Sequence, residues 1–557
     1  MRIYKSSTID IPQDQNLTEL LHTTARPLPE SHLIAKDSLT NRSITLGELR
    51  DRAGRIAKGL KDEYNPPDGA RWAIVIPNSV EYLEVFHSVL WTGGVGCPIN
   101  YALKATEIGH ALAVSRPQYI VAYGPIIQNI IIEAIDIAAQ DLSAQSIPWT
   151  RPHIISCISR SPGHKHLPDD FFASSRLAIP HWNDTSTRLA SIHLSSGTTG
   201  KPKGVELTHY NFVSNCYQLF AHDAAHFHAG SRTVAFTPFA HIAMTTLPLF
   251  LGPWVGMMHH AMAKYELEKF AELVESTQAT SFQGVPSVVL TMANSDITSR
   301  FDFSRAQAIQ VGGLFKKDIR DRLLSKAPWK LVQLYGMTEA AGYVAYQKLH
   351  EELPEGVVGR VLPNIECMLK KEGSTDDAPE GGPGELWLKG PNITRGYAFN
   401  EEANQSGFPI EGWYNTGDVC TIDKSGILSV VGRTKELIKY KGFQVAPAEL
   451  ESYINTHPDV VEGGVGAIWD ESQLTELPAA WVILRDHVGK SDKERRKTLR
   501  EVQQAVDAQV SGYKKLRGGV WDIKALPKNP TGKILRKEMV MMREGLCSLD
   551  KPIVAKL

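Results

Sequence analysis

Short apolar runs alternate with longer amphipathic runs through the first two-thirds of the chain. The apolar runs have the length of buried strands, and the runs between them repeat their apolar residues at helical spacing. The predicted strands are 71–76, 118–123, 280–285, 306–311 and 330–335, and the predicted helices include 81–92 and 126–140. Buried strands that alternate with helices favour an α/β core with largely parallel sheets.

The pattern changes near residue 371, where a turn-rich stretch (371–385) is followed by shorter β-like runs at 385–390 and 427–432. These runs predict a small β-rich lobe at the end of a large N-terminal domain of α/β subdomains. We place the domain boundary after Gly432, which gives domains of residues 1–432 and 433–557. The second is long enough for a small α+β domain.

One long segment needs a separate interpretation, because residues 233–263 contain no Asp, Glu, Lys or Arg. Its length would allow a membrane span. Three prolines, two glycines and three histidines interrupt it, however, and these residues are poorly suited to a continuous spanning helix. We therefore predict a buried core segment or the wall of a pocket, and no membrane span.

Composition narrows the function further. The 557 residues are 42% hydrophobic and 22% charged, and the formal net charge is −1, so no nucleic-acid-binding surface is predicted. The six cysteines are widely spaced and include no Cys-x-x-Cys pair, so the sequence predicts neither a zinc site nor a disulfide framework. A reducing intracellular compartment is consistent with this pattern.

The stretch Ser195–Gly204, SSGTTGKPKG, has the composition of an anion-binding loop. Its glycines free backbone N–H groups, its hydroxyls add donors, and Lys203 adds a positive charge. It is not a Walker loop, because Ser195 replaces the first glycine and Pro202 follows Lys201, where a hydroxyl residue would bind Mg²⁺.

Four further motifs follow this loop in order: YGMTE (335–339), YNTGD (414–418), GRTKELIKYKGFQVAPAELE (432–451) and LPKNPTGKILRKE (526–538). Together the five motifs resemble those of the adenylate-forming (AMP-binding) superfamily, and most closely the acyl-CoA synthetases of the 4-coumarate–CoA ligase type. The resemblance covers essentially the whole chain. It implies ATP, Mg²⁺ and coenzyme A as cofactors and a small-molecule carboxylic acid as substrate.

The resemblance implies a role for each nucleotide-site residue. Ser195, Ser196, Gly197, Thr198, Thr199, Gly200 and Lys203 would hold the β- and γ-phosphates. Thr338 would contact the α-phosphate and Glu339 would bind Mg²⁺. Gly312, Gly313, Tyr335 and Gly336 would flank the adenine, and Asp418 with Arg433 would bind the ribose.

The same resemblance assigns two active-site faces to the C-terminal domain. Lys533 would reach the substrate carboxylate and the α-phosphate during adenylation, whereas Lys439 and Gln444 would serve thioester formation. A rotation of this domain, with a hinge at Lys435, would exchange the two faces. Gly442 would let the pantetheine arm of coenzyme A pass close to the backbone.

The resemblance also places His241 at the entrance to the acyl site, where it would move between the two steps. The pocket is predicted to be lined by Ile242, Ala243, Met244, Leu334 and Tyr343. No acidic residue occurs in 234–250, so an α-amino acid, whose buried ammonium needs a partner, is disfavoured. An aryl, arylalkenyl or medium-chain fatty acid is favoured instead.

Two departures from the family pattern predict a reshaped and shorter acyl pocket. Leu334 stands where the family commonly has glycine, and Ala341-Gly342-Tyr343 replaces the common Gly-Pro-Val.

Three alternatives to a CoA ligase remain open at this point: transfer of the acyl group to a carrier protein, luciferase-like oxidation of the adenylate, and a nucleotide-binding module without catalysis. The C-terminal Ala555-Lys556-Leu557 resembles a peroxisomal import signal and predicts recognition by an import receptor; without such recognition a cytoplasmic location is expected.

Overall fold

The computed structural model describes residues 1–195, 202–284, 286–312, 317–354, 356–433, 436–440, 443–471, 473, 475–489, 491–510, 512–528 and 534–550. Its described strands are β1 (Tyr4–Lys5), β2 (Leu33–Asp37), β3 (Ser43–Thr45), β4 (Arg71–Val75), β5 (Val95–Pro98), β6 (Tyr119–Tyr123), β7 (His153–Cys157), β8 (His166–Leu167), β9 (Leu189–Ser195), β10 (Lys203–Thr208), β11 (Arg232–Ala235), β12 (Met258–Ala261), β13 (Ser281–Gln283), β14 (Ala308–Val311), β15 (Lys330–Tyr335), β16 (Ala345–Tyr346), β17 (Gly359–Val361), β18 (Glu366–Lys370), β19 (Gly384–Lys389), β20 (Gly396–Tyr397), β21 (Tyr414–Ile422), β22 (Ile427–Arg433), β23 (Ile438–Tyr440), β24 (Phe443–Val445), β25 (Val460–Asp470), β26 (Thr475–Leu484) and β27 (Val520–Asp522).

Its described α-helices are α1 (Leu17–Leu21), α2 (Leu46–Tyr64), α3 (Val80–Trp91), α4 (Ala105–Ser115), α5 (Ile132–Ala144), α6 (His209–His222), α7 (Ile242–Met244), α8 (Gly252–Val255), α9 (Leu267–Thr277), α10 (Pro286–Asn294), α11 (Ile297–Arg300), α12 (Lys317–Leu324), α13 (Glu401–Gly407), α14 (Pro447–Ile454), α15 (Asp492–Asp507) and α16 (Arg536–Met539).

Two large sheets organise the chain before β23. The larger has the strand order β1-β18-β19-β21-β22-β17-β16-β15-β14-β13-β11-β12-β2-β3. Its strands from β15 through β14, β13, β11 and β12 to β2 are parallel, whereas those from β16 to β1 are antiparallel. The predicted β-rich lobe is therefore continuous with the parallel part.

The second sheet has the order β20-β10-β9-β5-β4-β6-β7-β8. Its strands from β9 to β8 are parallel, and β10 and β20 add antiparallel strands at one edge. The predicted α/β class and the largely parallel core are confirmed. Strand and helix ends differ from the predicted ones by a few residues because the terminal residues of an apolar run are shared with the adjoining turn.

One predicted helix has a different internal geometry. The predicted run 126–140 begins with a π-helical turn at Ile127–Ile131 and continues as α5, which extends to Ala144. Ile127 and Ile131 are both buried, so the wider turn still presents an apolar face to the core.

The charge-free segment forms a parallel β–helix–β unit inside the larger sheet. Strand β11 leads into α7, a π-helical turn at Thr245–Leu251 and α8, and β12 then pairs in parallel with β11. Nearly all of its apolar side chains are buried, which explains why the helical part is apolar on every face. Of the described helices, none is long and apolar enough to span a membrane.

The C-terminal part has its own apolar core. Strands β25, β26 and β27 form a small mixed sheet, and β23 pairs with β24 in a separate hairpin. Two clusters formed by residues from 438 onwards surround this sheet, with Trp481 and Trp521 fully buried. This small α+β unit confirms the predicted fold class. The boundary after Gly432 lies one residue before the end of β22 and stays a prediction, and the predicted hinge residue, Lys435, lies outside the described residues.

All six cysteines are free and buried.

Candidate active site

The predicted phosphate loop is closed by a pair of strands. Ser195 ends β9 and Lys203 begins β10, and these two residues are antiparallel partners in the β9–β10 hairpin. Ser195 is buried and Lys203 is partly buried. The other predicted phosphate ligands, Ser196, Gly197, Thr198, Thr199 and Gly200, lie outside the described residues.

A tight loop follows β15 and carries Thr338 and Glu339 in a 3₁₀ turn at Thr338–Ala340. The loop requires glycine at Gly336, because a Cβ there would lie 1.8 Å from the carbonyl oxygen of Gly342. Ala341 adopts a left-handed backbone conformation (φ 52°), which is unfavourable for alanine. Its carbonyl accepts a hydrogen bond from Thr246 Oγ1 (2.7 Å), which holds the loop against the helical segment that follows His241.

Glu339 is buried (8% exposed) and is held by a segment distant in sequence. Tyr397 Oη donates to Glu339 Oε1 at 3.0 Å, and the hydroxyls of Tyr397 and Tyr414 are also 3.0 Å apart. The Lys203 ammonium lies 4.9 Å from the centroid of the Tyr397 ring. The base of the hairpin and the predicted metal ligand are therefore joined through one tyrosine.

Tyr335 and Asp418 form the predicted nucleoside side of the site. Tyr335 Oη donates to Asp418 Oδ2 at 2.5 Å, and burial together with this carboxylate raises the pKa of the Tyr335 phenol. Asp418 is the strand partner of Arg433 at the pairing of β21 with β22, so the two predicted ribose ligands are neighbours. A carboxylate is a suitable acceptor for the two hydroxyls of a ribose.

Gly312 directly follows β14 and is exposed, as a surface for a flat ring requires. A Cβ at Gly312 would lie 3.3 Å from Leu334 Cδ1 on the neighbouring strand, so Leu334 borders the same surface. Gly313 lies outside the described residues.

His241 is the N-cap residue of α7, and its side chain is exposed to solvent. The protein atoms that surround it reduce its hydration and lower its pKa, as expected for a side chain in a cleft. Asn78 holds the chain just before it: its amide donates to the carbonyls of Thr237 (2.9 Å) and Met262 (3.2 Å) and accepts from the Phe239 N–H (2.7 Å).

A buried histidine secures the other end of this segment. His193 on β9 lies between the hydroxyls of Ser191 (2.7 Å) and Thr245 (2.8 Å), and Thr245 Oγ1 is 2.7 Å from the carbonyl oxygen of Phe239. Burial lowers the pKa of His193 to about 3, so its ring is neutral at neutral pH. These contacts fix the start of α7 relative to the strand that carries Ser195.

The predicted acyl-pocket residues differ in accessibility. Ile242 and Met244 are buried in the core, whereas Ala243 and Leu334 are partly exposed. Tyr343 is fully buried, and its hydroxyl accepts a hydrogen bond from Gln283 Nε2 at 3.3 Å. Leu334 and Ala243 are therefore accessible in part, whereas Tyr343 belongs to the packed core.

The predicted C-terminal active-site residues are only partly described. Lys439 is exposed on β23 and forms an ion pair with Glu372 (2.9 Å), a residue of the turn-rich 371–385 stretch. That carboxylate raises the pKa of Lys439. Gln444 is the strand partner of Lys439, so the two predicted thioester-step residues are adjacent in β23 and β24. Gly442 and Lys533 lie outside the described residues.

Sequence reasoning missed the residues that support the site. Tyr414 is the first residue of the YNTGD motif but received no role, and Tyr397, Asn78 and His193 lie in stretches that drew no attention. The only available signals were the position of Tyr414 within a motif and that of His193 two residues before Ser195.

The comparison with protein families decides where the chain belongs. The model described as AMP-binding enzyme matches residues 22–398, and the model described as AMP-binding enzyme C-terminal domain matches residues 449–533. The chain belongs to the AMP-binding enzyme family. The superfamily predicted from the five motifs is thereby confirmed.

Individual relatives indicate which members of the family the chain resembles. The chain is 30% identical over 519 residues to 4-coumarate–CoA ligase-like 9 of Arabidopsis thaliana, a match that covers 90% of this chain and 85% of the relative. It is also 30% identical over 521 residues to 4-coumarate–CoA ligase 1 of Petroselinum crispum, covering 92% and 91% of the two chains. The predicted similarity to CoA ligases of this type is confirmed.

Solved structures agree with the fold. The anthranilate CoA ligase AuaEII in complex with anthranoyl-AMP superposes with a TM-score of 0.82 at 20% identity, covering 95% of this chain and 97% of that one. ATP-bound MatB from Rhodopseudomonas palustris gives a TM-score of 0.79 at 24% identity, with 94% and 98% coverage. The o-succinylbenzoate CoA synthetase of Bacillus subtilis with ATP and magnesium gives 0.77 at 21% identity, with 95% and 100% coverage.

Proposed function

We propose that this enzyme activates a carboxylic acid with ATP to form an acyl adenylate and pyrophosphate, and then transfers the acyl group to the thiol of coenzyme A. The observation that carries the proposal is the connected set of contacts from Lys203 through Tyr397 to Glu339, next to the Tyr335–Asp418 pair. A cation, a carboxylate and a ribose acceptor are thereby gathered along one cleft. The named relatives are CoA ligases, which favours this acceptor.

The two steps follow from simple chemistry. An oxygen of the substrate carboxylate attacks the α-phosphorus, and the bond from that phosphorus to the bridging oxygen breaks as pyrophosphate leaves. The thiol sulfur of coenzyme A then attacks the acyl carbon, its proton passes to the surroundings, and AMP leaves with the electron pair. The first step brings two anions together, so the protein must supply positive charge and hydrogen-bond donors.

The residues present fit ATP and a divalent cation. Asp418 would accept from the ribose hydroxyls, Tyr335 and Gly312 would contact the adenine, and Lys203 would lie beside the phosphates. Glu339 would bind Mg²⁺, which commonly uses one or two protein carboxylates together with phosphate oxygens. The cation would neutralise charge on the phosphates. Consistent with such shared ligation, the described residues contain no cluster of three or more His, Cys, Asp or Glu.

Coenzyme A is the proposed acceptor at the Lys439–Gln444 face. Lys439 is exposed and charged, which suits contact with the polar end of the pantetheine arm or with the adenylate. The rotation that would bring this face to the cleft, in exchange for Lys533, remains part of the proposal.

The substrate is proposed to be an aryl, arylalkenyl or medium-chain fatty acid. The segment around His241 contains no Asp, Glu, Lys or Arg, and without an acidic partner an amino acid is disfavoured. The volume filled by Leu334 and by the buried Tyr343 favours a short pocket. Leu334→Gly is expected to extend activity to longer acids, and an unchanged chain-length profile would show that Leu334 does not limit the pocket.

One assay tests the main proposal. The purified enzyme is incubated with ATP, Mg²⁺ and a panel of aryl, arylalkenyl and fatty acids, with and without coenzyme A, while pyrophosphate exchange, AMP release and thioester mass are measured. Acid-dependent exchange with a CoA thioester is expected. Exchange without a thioester would favour a carrier-protein acceptor or oxidation of the adenylate, and absence of exchange with every acid would refute adenylation.

Half-reactions test the division of labour. Lys533→Ala is expected to abolish adenylate formation and to leave conversion of a supplied acyl adenylate to the thioester, whereas Lys439→Ala is expected to do the reverse. Equal losses in both half-reactions of each variant would contradict the two-face proposal.

Peroxisomal import through Ala555-Lys556-Leu557 is a separate prediction, tested by comparing the location of the fluorescently tagged chain with and without these three residues.

A further inference from the structure

Tyr397 lies between two groups that the proposed function uses. Strand β20 pairs with β10 so that Tyr397 is opposite Val205, two residues after Lys203. Its N–H donates to Asn404 Oδ1 at 2.6 Å, and Asn404 Nδ2 donates back to its carbonyl at 3.1 Å. The ring is therefore fixed against the base of the phosphate hairpin, with the Lys203 ammonium 4.9 Å from its centroid.

The hydroxyl of Tyr397 has a defined direction of donation. An ionised carboxylate only accepts hydrogen bonds, so Tyr397 uses its one proton on Glu339 Oε1 (3.0 Å). Tyr414 must then donate to Tyr397, across 3.0 Å between the two oxygens. Both tyrosines are buried (6% exposed), and burial with the nearby carboxylate raises the pKa of each, so both phenols stay protonated at neutral pH.

The backbone of Glu339 is held by the same segment. The N–H of Thr394 donates to the Glu339 carbonyl at 2.7 Å, and the Asn211 amide donates to the carbonyls of Pro391 (2.8 Å) and Ile393 (3.0 Å). Backbone and side chain of Glu339 are thus both set by residues 391–397. Within the part of the chain that the structure describes, Glu339 Oε2 receives no hydrogen bond.

We infer that Tyr397 is a positioning residue that holds Oε1 of Glu339 and so leaves Oε2 for the divalent cation bound with ATP. The inference rests on the proposed function. It adds that a residue outside the predicted motifs sets the orientation of the predicted metal ligand. A hydrogen bond to a charged group restricts rotation of that group more strongly than a neutral one. Without this hydrogen bond, the Glu339 carboxylate would be less ordered before the cation binds, and ordering it would reduce the binding free energy of the cation.

The test compares Tyr397→Phe with the wild type. The variant keeps the ring, and with it the contact to Lys203, but removes the donor to Glu339. Mn²⁺ binding to the enzyme with α,β-methylene-ATP, followed by electron paramagnetic resonance, is expected to weaken about 10-fold, the lower end for a hydrogen bond to a charged group. The Mg²⁺ concentration that half-saturates pyrophosphate exchange should rise by a similar factor. Binding of AMP in EDTA, which needs no metal, should be unchanged.

Two further variants make the result decisive. Tyr82→Phe removes a buried hydroxyl that has no hydrogen-bond partner among the described residues, and it should leave both metal measurements at wild-type values. Tyr414→Phe removes the hydroxyl that donates to Tyr397 but keeps the one that donates to Glu339, so Mn²⁺ binding is expected to weaken by only about 3-fold. If Tyr397→Phe does not fold, Tyr414→Phe decides the matter, and unchanged Mn²⁺ affinity in it overturns the inference.

The outcomes separate this inference from the proposed function. Wild-type enzyme that exchanges no pyrophosphate refutes the proposed function. Wild-type enzyme that exchanges, together with a Tyr397→Phe variant of equal Mn²⁺ and Mg²⁺ dependence, refutes only the role of Tyr397. Equal losses of AMP binding in EDTA and of Mn²⁺ binding would show a general structural role and would also overturn it.

Discussion

Asn78 offers a perturbation whose size can be worked out from its contacts. Its side chain is 4% exposed and bonds to four backbone groups: the N–H of Phe239 and the carbonyls of Thr237, Met262 and Ala235. The Ala235 carbonyl also accepts from the Met262 N–H, so three of the four would lose their partner without Asn78. Leucine has the same number and branching of side-chain heavy atoms but cannot make these bonds. Asn78→Leu therefore isolates the loss of hydrogen bonding from the creation of a cavity.

Each buried backbone group left without a partner costs about 1–3 kcal/mol. Local relaxation and entry of water reduce this cost, so the lower figure for each of the three groups gives a destabilisation of about 3 kcal/mol. The cost falls on the chain just before His241. We therefore expect the KM for the acid to rise more than the KM for ATP.

Amide hydrogen exchange provides the local measurement. The Phe239 amide is protected through Asn78, so exchange in a peptide that contains residues 237–241 should accelerate by about 100-fold, the equivalent of about 3 kcal/mol. The exposed Asn183→Leu serves as the matched control and should change neither exchange nor activity. Unchanged exchange at 237–241 in Asn78→Leu would refute the assignment of this amide as the anchor of the His241 segment.

Three further predictions concern the cleft and the buried histidines. Asp418→Asn should raise the KM for ATP about 10-fold in pyrophosphate exchange, with a smaller change for the acid, because it weakens the ribose acceptor; equal changes would contradict that role. Gly336→Ala places a Cβ 1.8 Å from the Gly342 carbonyl oxygen and should abolish exchange, whereas Gly382→Ala, whose nearest contact would be 3.4 Å, should retain it. Burial lowers the pKa of His193, His209 and His259 to about 3. As the pH falls from about 6.5 to 3, the unfolded chain therefore binds more protons than the folded chain. Thermal stability should decline over this pH window. Neither ring nitrogen of His259 has a partner among the described residues, so His259→Leu should raise the melting temperature and reduce the decline, and an unchanged pH profile would contradict its contribution.

The sequence predicted the parts of the fold that depend on local pattern. The runs at 71–76, 118–123 and 330–335 form strands because each is a short, mostly apolar stretch next to turn residues. The order of strands in the two sheets could not be predicted, since pairing of β20 with β10, about 190 residues apart, depends on tertiary packing. The π-helical turn at Ile127–Ile131 was missed for a related reason, because its apolar spacing resembles that of an α-helix.

The residues of the candidate site also divide into those that a local sequence pattern identifies and those that depend on tertiary packing. Glu339, Asp418 and Tyr335 occur in short motifs that resemblance can recognise, and the structure places Tyr335 and Asp418 in direct contact. Tyr397 and Asn78 act through contacts with residues distant in the chain, so no local pattern distinguishes them from ordinary core residues. The resemblance named the groups that are predicted to face the ligands, and the structure added the residues that contact those groups.

The position of the cleft explains why supporting residues come from so many stretches. Strands β9 and β10 of one sheet carry the base of the phosphate hairpin, whereas β15 of the other sheet leads into the loop with Glu339. Tyr397, on the edge strand β20 of the smaller sheet, bonds to that loop and to Tyr414 at the start of β21 in the larger sheet. The two sheets therefore meet at the site through the Tyr414–Tyr397–Glu339 hydrogen bonds. A small shift of one sheet against the other would move Glu339, the predicted metal ligand, relative to the β9–β10 hairpin, so substitutions at this junction should alter the metal dependence of catalysis before they alter the fold.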